Sequence, residues 1–135
     1  GFRALPGTVL ARALDDATMI ITMLESPAAV AGAGAIAAVD GVDALFIGTN
    51  DLANALGLPG ELGHPRIREL YRHAIAEAAR HGKPLLVGGI RDAALLAAYV
   101  AMGAAPVGFT GNDYGFLIDG ARRQIDAMTA ALQRK

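Results

Sequence analysis

The chain has 135 residues, 53% of them hydrophobic and 19% charged, against a typical charged share of about a quarter, so it can bury a substantial core. Twelve Lys and Arg against thirteen Asp and Glu leave a formal charge of -1, which offers no field to nucleic acid or anionic lipid and points to small molecules or other protein subunits as partners. The absence of cysteine excludes disulfides, thiolate metal sites and a cysteine nucleophile, and it fits a cytoplasmic location.

Short runs rich in branched residues alternate along the chain with longer helical patterns, the mark of βα units on a parallel sheet. A first strand is expected over about Met19 to Leu24 and ends at Glu25. Pro27 then opens an alanine-rich helical segment to Val39, which Gly41 ends. A second strand, Ala44 to Gly48, leads through Thr49 and Asn50 into a short helix from Asp51 to about Leu56. After a loop with Gly57, Pro59, Gly60 and Gly63, Pro65 starts the clearest helix. Its apolar positions Ile67, Leu70, Tyr71, Ala74, Ile75 and Ala78 repeat at three and four, with Arg68, Glu69, Arg72 and Arg80 toward water and Gly82 as the stop. The third strand is Pro84 to Gly88, and Asp92 caps a helix to Met102. The apolar stretch Ala93 to Met102 falls short of the roughly 20 residues that span a bilayer, and no charged-then-apolar leader opens the chain. A fourth strand, Pro106 to Thr110, meets Gly111, Asn112 and Asp113 before a last helix with Ala121, Ile125, Met128 and Leu132 in one stripe.

Four parallel βα units make half of a (β/α)8 TIM barrel, which usually takes about 250 residues. The expected fold is therefore α/β, residues 1–135 forming a single partial domain that corresponds to half of such a barrel. An open four-stranded sheet exposes two edges and an apolar face, so the chain is expected to pair with another copy, to close as a different α/β fold, or to belong to something longer. Its start at Gly1 fits either removal of an initiator methionine or a beginning inside a larger protein.

Glu25 and Asp51 stand twenty-six positions apart, each where an apolar strand ends. On neighbouring parallel strands both carboxylates emerge at one carboxyl rim, where such folds build their sites. Two hard oxygen donors suit Mg2+, Mn2+ or a similar divalent ion and leave positions for water and substrate. A 2-oxo acid can fill two of these through its carboxylate and keto oxygens, with the cation stabilising the enolate at the adjacent carbon. Gly48 permits close backbone approach, and the amides of Gly48, Thr49 and Asn50 suit a substrate carboxylate. The plain structural reading is that Asp51 caps a helix and Glu25 is a surface acid.

Met23-Leu24-Glu25-Ser26-Pro27, Gly41-Val42-Asp43-Ala44-Leu45-Phe46-Ile47-Gly48-Thr49-Asn50-Asp51-Leu52, Gly57, Gly63-His64-Pro65 and Gly82-Lys83 together resemble the HpcH/HpaI aldolase and citrate lyase family. The resemblance runs from about Gly1 to the last helix. It implies a barrel enzyme that makes or cleaves a carbon-carbon bond beside a 2-oxo acid of the pyruvate type with a divalent metal, Mg2+ or Mn2+ with Co2+ as a third candidate. It implies Glu25 and Asp51 as metal ligands and the amides near Gly48 to Asn50 as holders of the pyruvate carboxylate. It also implies a homo-oligomer whose dimers exchange the last helix. The family's catalytic histidine and substrate-binding arginine fall in the first half of its barrel, to which no segment here corresponds, so the chain reads as a carboxyl-terminal half with no catalytic residue assigned. Met23 stands where many aldolase members carry glutamine. A citrate-lyase-like acyl-CoA lyase therefore stays open.

Lys83 precedes its strand and Lys135 ends the chain, so neither suits a Schiff-base aldolase. His73 and His81 read as solvated or packed, and His64 as a residue that can order the loop before Pro65. Gly88-Gly89 and Gly111-Asn112-Asp113 read as tight βα turns. Two rival readings follow: a non-catalytic half-barrel that self-associates or binds anions at its glycine-rich strand ends, and a complete flavodoxin-like domain, which strand order would decide.

Overall fold

The computed structural model describes residues 6–106, 108–109 and 111–133. Four strands, β1 (Ile21–Leu24), β2 (Ala44–Gly48), β3 (Leu85–Gly88) and β4 (Gly108–Phe109), lie side by side in chain order and all run parallel. Helices fill every connection: α2 (Pro27–Ala31) and α3 (Ala33–Ala37) after β1, α4 (Thr49–Ala55) and α5 (Pro65–Arg80) after β2, and α6 (Ala93–Ala101) after β3. Helix α1 (Gly7–Ala17) precedes the sheet and α7 (Asp113–Gln133) follows it. The order β1-β2-β3-β4 removes the flavodoxin-like alternative, in which the first strand lies inside the sheet with the second on its outer side.

Alternation along the strands divides the sheet into two unequal faces. Leu24, Leu45, Ile47, Leu85 and Val87 point into the main core with Val30, Ile67, Tyr71, Ala74 and Tyr99 from the helices. Ala44, Phe46 and Leu86 form a second, smaller cluster on the other face, joined by Ile21 and Ala105. Helix α5 is the main partner of the first face: Ile67, Tyr71, Ala74 and Ala78 are buried along it and Leu70 and Ile75 are half-buried. Arg68 departs from the expectation of a solvated face. It is half-buried, donates from Nε to the Gly63 carbonyl at 2.9 Å, and sets its guanidinium over the Tyr99 ring at 6.0 Å.

Two elements differ from the sequence expectation. The segment after Pro27 is two short helices, because Gly32 interrupts it. Helix α1, which was not expected, carries no signal at its start beyond Pro6 and buries none of its residues. Strand β4 is described at Gly108–Phe109, and Val107 and Thr110 of the expected strand lie outside the described residues.

Candidate active site

Leu24 pairs with Ile47 in the β1–β2 register, so the next residues, Glu25 and Gly48, leave the sheet side by side. Ile21, Met23 and Glu25 alternate onto the face of the smaller cluster, as do Ala44, Phe46 and Gly48. The Glu25 side chain lies over Gly48: a β-carbon there would stand 3.1 Å from Glu25 Cγ, 3.3 Å from Oε1 and 3.4 Å from Met23 Sδ. Glycine is thus the residue that lets the carboxylate fold across the rim. Asp51 follows in the first turn of α4 and is exposed, as is Glu25. The ion pairs among the described residues are Arg72–Glu69, Arg80–Glu77 and Arg91–Asp119, so neither rim carboxylate is engaged by a basic side chain. Both are exposed carboxylates, hard oxygen donors of the kind a divalent cation takes. No group of three or more His, Cys, Asp and Glu is gathered for a metal among the described residues.

Sequence reasoning placed Gly48, Thr49 and Asn50 at the substrate, and the structure separates their parts. Thr49 is fully buried. Its Oγ1 donates to the Gly88 carbonyl at 2.6 Å and lies 2.6 Å from the Tyr71 hydroxyl. Asn50 is exposed, and its Nδ2 donates to the Gly89 carbonyl at 3.3 Å. Gly89 has φ +75, and a β-carbon there would collide with that amide, so both its conformation and the approach of Asn50 require glycine. The Thr49 side chain therefore faces the core.

Tyr71, which sequence reasoning took for plain core, is the hydrogen-bond partner of Thr49. Its signal was present, since a tyrosine on the buried stripe of a helix has a hydroxyl that must find a partner. Burial pushes its hydroxyl far above the ordinary value of 10.0, the Thr49 hydrogen bond opposing the shift, and burial likewise raises Tyr99. The Tyr71 and Tyr99 rings pack with centroids 4.0 Å apart, and the Tyr99 hydroxyl donates to the Leu62 carbonyl at 2.6 Å.

Beside Asn50 the rim opens into a cavity of about 320 Å³ lined by Gly89, Arg91, Gly111, Asn112 and Tyr114. Arg91 is its cation and pairs with Asp119 of α7. His64 caps α5, its Nδ1 accepting from the Arg66 amide at 3.2 Å, which is the loop-ordering part foreseen for it. His73 and His81 are exposed on and after α5, and Lys83 lies ahead of β3. These placements agree with the sequence reading.

Residues 8–115 match the HpcH/HpaI aldolase/citrate lyase family. A 5-keto-4-deoxy-D-glucarate aldolase of Klebsiella pneumoniae is 37% identical over 110 residues, 80% of this chain and 41% of that enzyme. The solved HpcH/HpaI aldolase of Desulfitobacterium hafniense superposes with a TM-score of 0.79 at 28% identity, over 94% of this chain and 49% of that one. A family protein of Burkholderia cenocepacia gives 0.74 at 26% identity, over 96% and 53%. The chain spans about half the length of these relatives or less. Its parallel α/β fold, the rim carrying Glu25 and Asp51, and the match over most of its length make one conclusion: the chain belongs to the HpcH/HpaI aldolase/citrate lyase family.

Proposed function

We propose that the chain is the carboxyl-terminal half of a (β/α)8 barrel, residues 1–135 forming one partial domain, and that it carries the cation- and 2-oxo-acid-binding rim of a carbon-carbon lyase. The observation that carries this reading is the seating of Glu25 across Gly48, with Asp51 in the next helical turn, at the carboxyl edge of two adjacent parallel strands. Glu25 and Asp51 hold a divalent cation, Mg2+ or Mn2+ with Co2+ as a third candidate. The cation, when bound, supplies the positive charge that stabilises an enolate beside a carboxylate. The amides of Gly48, Thr49 and Asn50 orient the acid through its carboxylate, and the cavity beside Asn50 receives the second reactant. The group that moves the proton is not assigned to any residue of this chain. A pyruvate-type acid as substrate follows from the family resemblance of the residues around Glu25 and Asp51. Self-association through α7 and a cytoplasmic location complete the reading, and no helix among the described residues is long and apolar enough to cross a membrane.

The direct test is calorimetric titration of the chain with Mn2+ and then with oxalate, the planar analogue of an enolate. Oxalate binding is expected to depend on the cation and to be lost in Glu25→Gln and Asp51→Asn. Cation-independent oxalate binding, or unchanged affinity in both variants, refutes the reading. Deuterium exchange at the pyruvate methyl group is expected to be negligible for these 135 residues and cation-dependent in any longer protein containing them.

A second reading, a non-catalytic anion-binding half-barrel, is favoured by Arg91 lining the cavity at the ends of β3 and β4. It predicts phosphate uptake without a cation.

A further inference from the structure

We propose that Tyr71 and Thr49 are positioning residues, a relay of two buried hydroxyls from α5 to the end of β3 that fixes the β2–α4 turn between the two rim carboxylates. The inference rests on the cation-binding reading above and adds to it two side chains that cannot touch a ligand.

The direction of the relay follows from elementary hydrogen-bond chemistry. A carbonyl only accepts, and a threonine hydroxyl has one proton. Thr49 Oγ1 lies 2.6 Å from the Gly88 carbonyl and 2.6 Å from the Tyr71 hydroxyl, so Thr49 donates to Gly88 and Tyr71 donates to Thr49. Both side chains are fully buried, and their influence on the rim passes through the backbone. The next residue repeats the attachment one carbonyl along, Asn50 donating to Gly89. Two consecutive residues are thus hooked to two consecutive carbonyls of the neighbouring strand end, in a βα turn where strand pairing itself stops at Gly48↔Gly88. Upstream of the hooks lies Gly48, the seat of Glu25; immediately downstream lies Asp51. The spacing of two ligands that must meet one ion is therefore set by a link outside the site, and sites of this kind tolerate displacements of only about 0.5 Å.

Four variants of the 135-residue chain test the proposal, each measured for Mn2+ affinity by electron paramagnetic resonance and for melting temperature. Thr49→Ser keeps the relay and is expected to bind Mn2+ within about twofold of the parent, whereas Thr49→Val weakens binding about tenfold and Tyr71→Phe about threefold, losses of the size expected for one misplaced contact. Thr49→Val takes the side-chain partner from the Tyr71 hydroxyl and the donor from the Gly88 carbonyl, so it also melts earlier. The deciding variant is the double substitution Thr49→Val with Tyr71→Phe. It removes that hydroxyl as well and is expected to regain part of the melting temperature while Mn2+ affinity stays low. Recovery of affinity together with stability, or parental affinity in Thr49→Val, overturns the positioning role and leaves a structural hydrogen bond. Mn2+ binding that ignores Glu25→Gln and Asp51→Asn defeats the cation reading itself, and the inference with it.

Discussion

Glu25 owes its seat to the missing side chain at position 48. Gly48 has φ -75, a conformation open to any residue, so alanine there is not strained in its backbone. Its methyl would nevertheless stand 3.1 Å from Glu25 Cγ and 3.3 Å from Oε1, and the carboxylate must move aside. Gly48→Ala is therefore expected to leave stability within about 1 kcal/mol of the parent, the loss of unfolded-chain freedom offsetting the crowding, while Mn2+ affinity falls. Calorimetric titration beside thermal melting checks this, and an alanine variant that binds the ion as tightly as glycine does would show that the cradle is unimportant. Glu25 stands out in the sequence because it ends an apolar strand, and Asp51 because it follows the neighbouring one, three residues past Gly48 in the first turn of α4. The orientation of Thr49 does not, because it depends on a partner from α5 and a carbonyl of β3, neither of which leaves a trace in the local pattern around Gly48.

Helix α5 shows what the period of a sequence settles and what it leaves open. Its apolar stripe, its proline start and its buried face agree with the structure, since burial of one helical face is written in every third and fourth residue. Left open are the polar atoms carried on that stripe. Burial raises both Tyr71 and Tyr99 above their ordinary 10.0, so the folded chain keeps two phenolic protons that the unfolded chain releases above about pH 10. Stability from this source is complete below that pH and drains away as pH rises toward the folded values. Denaturant titrations across about pH 8 to 11 are expected to show a level plateau and then a decline beginning near 10. The decline becomes shallower in Tyr71→Phe; an equal slope in the two proteins would mean that Tyr71 ionises alike folded and unfolded. Alanine and glycine dominate α2–α3, so the break at Gly32 has no apolar rhythm to reveal it, whereas α1 does carry a stripe, Val9, Leu10, Ala13 and Leu14, that was legible and missed.

At the scale of the whole chain, the apolar surface is unevenly spent. The first face of the sheet is covered by α2 to α6, whereas the second carries only the small cluster of Ala44, Phe46 and Leu86. Below that cluster an open hollow of about 420 Å³ is lined by Met19, Ile21, Ala44, Pro84, Leu86 and Ala105. Helix α7 adds Leu117, Ile125, Met128 and Leu132, which are 59% to 77% exposed. Apolar area on this scale marks a surface that other protein covers. The relatives, matched over about half their structures, have a further half-chain with which to cover such a face. The sequence foresaw the imbalance from its count of βα units, and the α7 stripe from its period. The partner each surface meets lies beyond any single chain's pattern. If α7 is the self-association surface, sedimentation velocity over a dilution series should show reversible oligomers of the parent chain, and Ile125→Glu with Leu132→Glu should shift them toward the monomer without lowering Mn2+ affinity, since neither residue lines the cavity beside Asn50. Association unchanged by those substitutions would move the contact to the open sheet face, where Met23→Glu becomes the variant that dissociates it.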